Sequence, residues 1–286
     1  MLFENFQLRT IDTGEVNIRL RYGGEGPPLL LLHGHPQTHM MWHHIAPLLA
    51  TTFTVVMPDL RGYGDSSKPQ TTNDHYPYSK RAMARDQIAM MKELGFNQFS
   101  VVGHDRGGRC AYRLALDFPE AITKLAVLDI IPTGEALRRT NKEFSLGFWH
   151  WFFLAQPFDL PEQLIGHDPD SFYFRGDRSI FHPEALDDYL RCIHQPGTIH
   201  AMCEDYRAGA SIDYELDEAD RGIHTIKCPI LVLWSEQGEL PKWYDVLSIW
   251  RDWAEEVEGR GINCGHYLAE EAPKETFEEL YNFLID

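Results

Sequence analysis

The sequence predicts an α/β protein, a mostly parallel sheet with helices on both faces and one helical insertion. Three observations predict it. Short apolar runs at 29–32, 53–56, 99–102, 125–128 and 230–233 are bounded by turn residues, as strands buried on both faces are. Helical patterns at 79–94, 106–117, 242–256 and 272–284 alternate with them, and that alternation implies right-handed βαβ crossovers. The stretch 134–222 breaks the rhythm and shows no buried-strand pattern.

Taken in order, the run at 29–32 opens into His33-Gly34-His35-Pro36, a turn that cannot continue a strand. The helix at 79–94 starts at Ser79, a good N-cap residue. The strand at 99–102 feeds Gly103-His104-Asp105-Arg106-Gly107 and then the helix at 106–117 without a linker. The strand at 125–128 ends on Asp129. Within 134–222, residues 144–158 hold seven aromatics: Phe144, Phe148, Trp149, Trp151, Phe152, Phe153 and Phe158. They suit a helical cap laid over the sheet, and equally an ordinary helical core. The division expected is a core of 1–133 and 223–286 with a cap of 134–222.

The chain has 286 residues, 43% of them hydrophobic, and a formal charge of −17. That is enough apolar material for one large domain. The acidity excludes nucleic-acid and anionic-membrane partners, which need a basic footprint. Taken alone it also speaks against a small anionic substrate. The five cysteines are scattered, with no CxxC pair and no metal-ligand spacing, so no metal and no disulfide framework is expected. The first residues lack a signal-peptide pattern and the run 27–32 is too short to span a bilayer. A cytoplasmic protein is expected.

The segment 103–107 carries the chemistry. G-x-D-x-G between a strand and a helix is the nucleophile elbow of the α/β-hydrolase fold, with Asp105 where a serine usually stands. Glycines flank it because a sharp strand-to-helix turn crowds the backbone. A carboxylate attacking an ester carbonyl would give an anhydride, a poor intermediate. Attack on an sp³ carbon bearing a leaving group gives an alkyl ester that water can hydrolyse. The substrate should therefore be an alkylating agent, an alkyl halide or an epoxide. The bland alternative is that Asp105 merely caps the helix. Arg106 and Arg109 sit in the first helical turn, where cations oppose the helix dipole at a cost of ~0.3–1 kcal/mol each. Spaced i and i+3, they can converge to clamp a substrate carboxylate, or they pair with other carboxylates of this acidic chain. His266, in the loop 263–267, is placed to act as general base. Its orienting acid is Asp129 or Glu239, and the strand-end position favours Asp129. His33, His39, His43, His44 and His75 are read as structural or exposed.

The stretches HGHPQTHMMWHHIAPLLA, DLRGYGDSSKP, YSKRAMARD, GHDRGGR, RLALDFPE, LAVLDIIPT, FWHWFFLAQP, CEDYRAGA and GHYLAEEAP, in this order, resemble the fluoroacetate or haloacetate dehalogenases of the α/β-hydrolase superfamily. The resemblance spans residues 31–273 and implies an eight-stranded type of sheet. It further implies Asp105 as nucleophile, Asp129 as acid, His266 as base, and Arg106 and Arg109 on the substrate carboxylate. His150, Trp151 and Tyr206 would form the halide pocket. The backbone N–H groups of His35 and Arg106 would form the oxyanion site. The activity implied is hydrolytic removal of halide from short 2-haloalkanoic acids, without cofactor, by a homodimer. The sequence departs from the family at His35, where the family pattern has phenylalanine, and is shorter between about 170 and 200. An epoxide hydrolase is the rival, sharing the Asp and His but needing tyrosine donors, for which Tyr173, Tyr189, Tyr206 and Tyr214 are available. A non-catalytic receptor on the same scaffold is a further rival, disfavoured by the intact Asp105, Asp129 and His266.

Overall fold

In a computed structural model describing residues 2–157 and 159–286, eight strands form one sheet. They are β1 (Gln7–Asp12), β2 (Asn17–Gly23), β3 (Pro28–Leu32), β4 (Thr54–Pro58), β5 (Phe99–His104), β6 (Ile122–Leu128), β7 (Ile230–Ser235) and β8 (Val257–Ile262). Their spatial order is β1-β2-β4-β3-β5-β6-β7-β8. Only β1 with β2 and β2 with β4 run antiparallel. The central strands β3 to β6 are buried almost throughout, with Leu29–Leu32 and Leu125–Leu128 at 0% exposure, which is why their sequences read as continuous apolar runs.

The strand order positions the site. From β3 the chain crosses to β4 on one side, then returns past β3 to β5 on the other. Right-handed crossovers in opposite directions put helices on opposite faces. They also leave a crevice beyond the C-terminal ends of β3 and β5, the place where open α/β sheets bind ligands. Into it project the turn after β3 and the elbow after β5.

Helix α1 (Lys80–Glu93) is capped by Ser79, whose side chain accepts from Ala82 N, and α2 (Arg106–Asp117) follows the elbow directly. Between β6 and β7 every described element is helical, among them α3 (Trp149–Leu154), α4 (Pro183–Ile193), α5 (Thr198–Ala210) and α6 (Ile212–Asp220). α7 (Pro273–Ile285) closes the chain. Of the aromatics expected to form this layer, Phe144 and Trp151 are buried and Phe152 is exposed. Phe158 lies outside the described residues.

One expectation needs correction, and three strands went unread. The single helix at 242–256 is two short ones, Leu240–Trp243 and Val246–Arg251. The break comes at Asp245, whose carboxylate caps the second helix at Ser248 N. The strands β1, β2 and β8 were not legible as apolar runs, because each has an exposed side. β8 also contains Gly259, where a Cβ would stand 1.9 Å from Val232 O.

Candidate active site

Asp105 sits at the elbow with φ 45° and ψ −118°, a conformation that costs a non-glycine residue ~1–3 kcal/mol. The surrounding glycines make it possible. A Cβ on Gly103 would approach Gly107 O to 2.4 Å, and one on Gly107 would approach His33 O to 2.3 Å. A Cβ on Gly34 would meet Asp105 Cβ at 2.7 Å. Close backbone approach thus aims the carboxylate across the crevice. His35 N donates to its Oδ2 at 2.9 Å, which leaves Oδ1 as the outward oxygen. The N–H of Arg106 opens α2 and has no intrahelical partner.

Asp129 directly follows β6 with φ 55°. Its Oδ1 accepts from Ser235 N at 2.9 Å and its Oδ2 from His266 Nδ1 at 2.6 Å. Because a carboxylate only accepts, Nδ1 carries a proton and Nε2 remains for other work. Glu239, the alternative acid, pairs instead with Lys242. The His266 loop is fixed by Glu271, which accepts from Gly265 N at 2.8 Å and Tyr267 N at 2.9 Å. His104, which sequence reasoning left unassigned, donates through Nε2 to His266 O at 2.8 Å, and the two rings lie 4.6 Å apart.

Asp105, Arg109, His150, Trp151, Tyr206 and His266 all line one cavity of about 480 Å³. Trp151 and Tyr206 stand 6.3 Å apart by ring centroids, and His150 lies 6.0 Å from Tyr206. The ring donors of these three hold no hydrogen bond among the described residues. Arg109 is 4% exposed. Its Nη1 donates to Ile131 O and Thr133 Oγ1, while its buried Nε has no partner.

Arg106 is placed differently from Arg109. It does not line this cavity. Asp205, one residue before Tyr206 on α5, takes its fork, with Nε to Oδ2 at 2.9 Å and Nη2 to Oδ1 at 2.6 Å. Asp205 also accepts from Lys80 and from the Tyr63 hydroxyl. Of the two arginines, only Arg109 is among the residues lining this cavity. The partner that decides this lies 99 residues away, beyond any spacing argument.

Burial raises the Asp105 pKa, but His266, His104, Arg109 and Arg106 together hold it below the usual carboxylate range. Burial lowers His266, yet its hydrogen bond and charge contact with Asp129, and the charge of Asp105, raise it overall. His104 and His150 are pushed by burial to about 4, and His35 to about 3, so all three are neutral near pH 7. The Tyr206 hydroxyl is held neutral by burial and by Asp105.

Among the described residues, one group has metal-ligand proximity: Asp159, Glu162 and His200. It does not line the cavity, and Arg207 occupies both Glu162 oxygens. The five cysteines are buried and unpaired. No helix among the described residues is long and apolar enough to cross a membrane.

A sequence model of the α/β-hydrolase fold matches residues 27–273. The chain is 44% identical over 292 residues to a fluoroacetate dehalogenase of Burkholderia sp., covering 100% of this chain and 96% of that protein. It is 33% identical to a soluble epoxide hydrolase of Corynebacterium sp. strain C12, with 93% of each covered. A crystal structure of a putative α/β hydrolase from Nostoc sp. PCC 7120 superposes with a TM-score of 0.97 at 54% identity, covering 99% of both chains. With an elbow of this geometry and kinship along its whole length, the chain belongs to the α/β-hydrolase superfamily and, within it, to the fluoroacetate dehalogenase family.

Proposed function

We propose that the protein is a hydrolytic dehalogenase of short 2-haloalkanoic acids, working through an ester on Asp105. The observation that carries this reading is a carboxylate at the elbow facing a cavity that also holds a buried arginine, Arg109. Asp105 Oδ1 attacks the halogen-bearing carbon, the carbon–halogen bond breaks, and its electron pair leaves with the halide. Trp151, Tyr206 and a neutral His150 point donors at that charge as it develops. The Arg109 guanidinium receives the substrate carboxylate, an ion pair made strong by burial. Arg106 adds positive charge from behind the wall.

The ester then breaks down. His266 Nε2 takes a proton from water, the hydroxide adds to Asp105 Cγ, and the negative charge gathers on Oδ2 beside the N–H groups of His35 and Arg106. Collapse expels the 2-hydroxy acid, restores the carboxylate, and returns the proton through His266. No metal or organic cofactor takes part. The insertion 134–222 serves as the cap that supplies His150, Trp151 and Tyr206. The family resemblance implies a homodimer, which light scattering of the purified protein tests, and the scattered unpaired cysteines fit a cytoplasmic location.

Epoxide opening is the second reading, favoured by one observation: Tyr173 and Tyr206 both line the cavity. Tyr189 is committed to Glu270 and Tyr214 lies elsewhere. Halide and diol assays on fluoroacetate, chloroacetate, bromoacetate, a neutral haloalkane and a terminal epoxide separate the two. Haloacetates should turn over, with Asp105→Asn reducing the rate by about 10³-fold or more and Arg109→Leu raising KM. Epoxide turnover that is indifferent to Arg109→Leu, with no halide released, would overturn the dehalogenase.

A further inference from the structure

His266 is held at its ring, at its chain neighbours and at its own carbonyl. Asp129 orients the ring through Nδ1. Ser235 Oγ and Gln237 N donate to Cys264 O, and Glu271 accepts from Gly265 N and Tyr267 N. The end of β7 and the short helix Leu268–Glu271 thus fix the backbone on either side. The carbonyl of His266 itself accepts from His104, the residue immediately before Asp105, across 2.8 Å. Among the described residues, no other hydrogen bond joins the loop 263–267 to the elbow 103–107.

The ring of His104 serves this one contact. It is fully buried at the end of β5, and its centroid lies 4.6 Å from that of His266. Its Nδ1 is buried without a partner, so the single hydrogen of a neutral imidazole is useful only at Nε2, where the carbonyl waits. Gly34 leaves the room, since a Cβ there would stand 2.8 Å from His104 Nδ1. Burial and the charge of His266 push the pKa of His104 down to about 4, which keeps the ring neutral near pH 7. Neutrality matters at this range. A second cation beside His266 would oppose the proton that His266 takes from water.

We infer that His104 is a positioning residue for the hydrolytic half of the reaction. By tying the His266 backbone to the elbow, it fixes Nε2 at one distance from the ester carbon of Asp105. The inference rests on the ester mechanism proposed above. Displacement of halide by Asp105 needs no base, so the tether acts on ester breakdown alone. A misplacement of about 1 Å can cost about 10²-fold in rate.

His104→Leu removes the donor, and His104→Gln returns an N–H at a similar reach. In single turnover of chloroacetate, His104→Leu should release halide at nearly the wild-type rate. Its ester should break down about 10- to 10²-fold more slowly, so that alkylated protein accumulates by mass spectrometry, and His104→Gln should recover most of that loss. Equal slowing of both steps would mean general damage to the elbow, and unslowed ester breakdown would mean no tether; either overturns the proposal. Two further readouts need no substrate. In the wild type carrying isotope-labelled histidine, NMR should find His104 protonated at Nε2 and bare at Nδ1. The opposite tautomer has nothing to donate to His266 O and sinks the idea even if the leucine variant does not fold. The downfield His266 Nδ1 proton shared with Asp129 should broaden in His104→Leu and sharpen again in His104→Gln, and a proton unchanged in both counts against the tether. A wild type that releases no halide counts against the dehalogenase reading, and these two NMR results still decide whether His104 holds the base.

Discussion

At the scale of the residue, the proposed reaction makes His266 the group whose charge changes during turnover. In the resting enzyme burial opposes its imidazolium, but Asp129 and the Asp105 carboxylate outweigh burial and raise its pKa. When Asp105 becomes an ester, its negative charge disappears, leaving Asp129 and Glu271 as the raising charges. The imidazole should therefore lose its proton more readily at the step that needs it neutral. Two midpoints follow. By NMR, His266 in the free enzyme should titrate above the ordinary value of about 6.5. The rate of ester breakdown in single turnover should rise with pH around a lower midpoint, and the reverse order would show that Asp105 does not set the proton affinity of the base. Asp129→Asn should accumulate the ester, slowing its breakdown by about 10³- to 10⁴-fold. The chemistry at Asp105 could be read from sequence because two glycines and the following helix leave its backbone little choice. The fate of Arg106 could not. Arg106, Lys80 and Tyr63 converge on Asp205 only after α5 folds back onto α1 and α2.

At the scale of the element, three segments around the site meet at one buried carboxyl. Glu270 accepts from Gln37 on the turn after β3 and from the Tyr189 hydroxyl on α4, and it lies on the short helix after the His266 loop. Burial raises its pKa to about 8, with the neighbouring Glu271 adding to the effect. The native state thus binds this proton more tightly than the unfolded chain, where a glutamate titrates near 4.3. Stability from this group is complete below about pH 4.3 and is lost as pH rises toward about 8. Glu270→Gln keeps the shape of the protonated acid and removes the titration. Its melting temperature should match or fall below the wild type at pH 5 and exceed it by several degrees at pH 9. A constant difference across that range would mean that the carboxyl does not titrate in the fold. Legibility at this scale follows burial. Strands covered on both faces, β3 to β7, read as apolar runs, whereas β1, β2 and β8 have one side in water and mix charge with apolar residues. The split helix at 240–251 was hidden because Asp245 suits a cap and a helical surface equally.

At the scale of the whole molecule, a formal charge of −17 surrounds the cavity proposed to take an anion. The two facts coexist because they act over different distances. In the proposed complex Arg109 meets the substrate carboxylate at hydrogen-bond range inside a low-dielectric cavity, where solvent ions hardly intervene. The remaining carboxylates act on the approaching substrate through water, and salt reduces their reach from about 30 Å at 0.01 M to about 8 Å at 0.15 M. Raising ionic strength over that interval with a non-halide salt should therefore increase kcat/KM for chloroacetate several-fold. The kcat should stay level, since the bound geometry is local. A neutral haloalkane or epoxide, feeling neither term, should show no change. If kcat/KM for chloroacetate falls instead, the positive field of Arg109 and Arg106 reaches the cavity mouth and steers the anion in, and net charge then has no hold on how the substrate arrives.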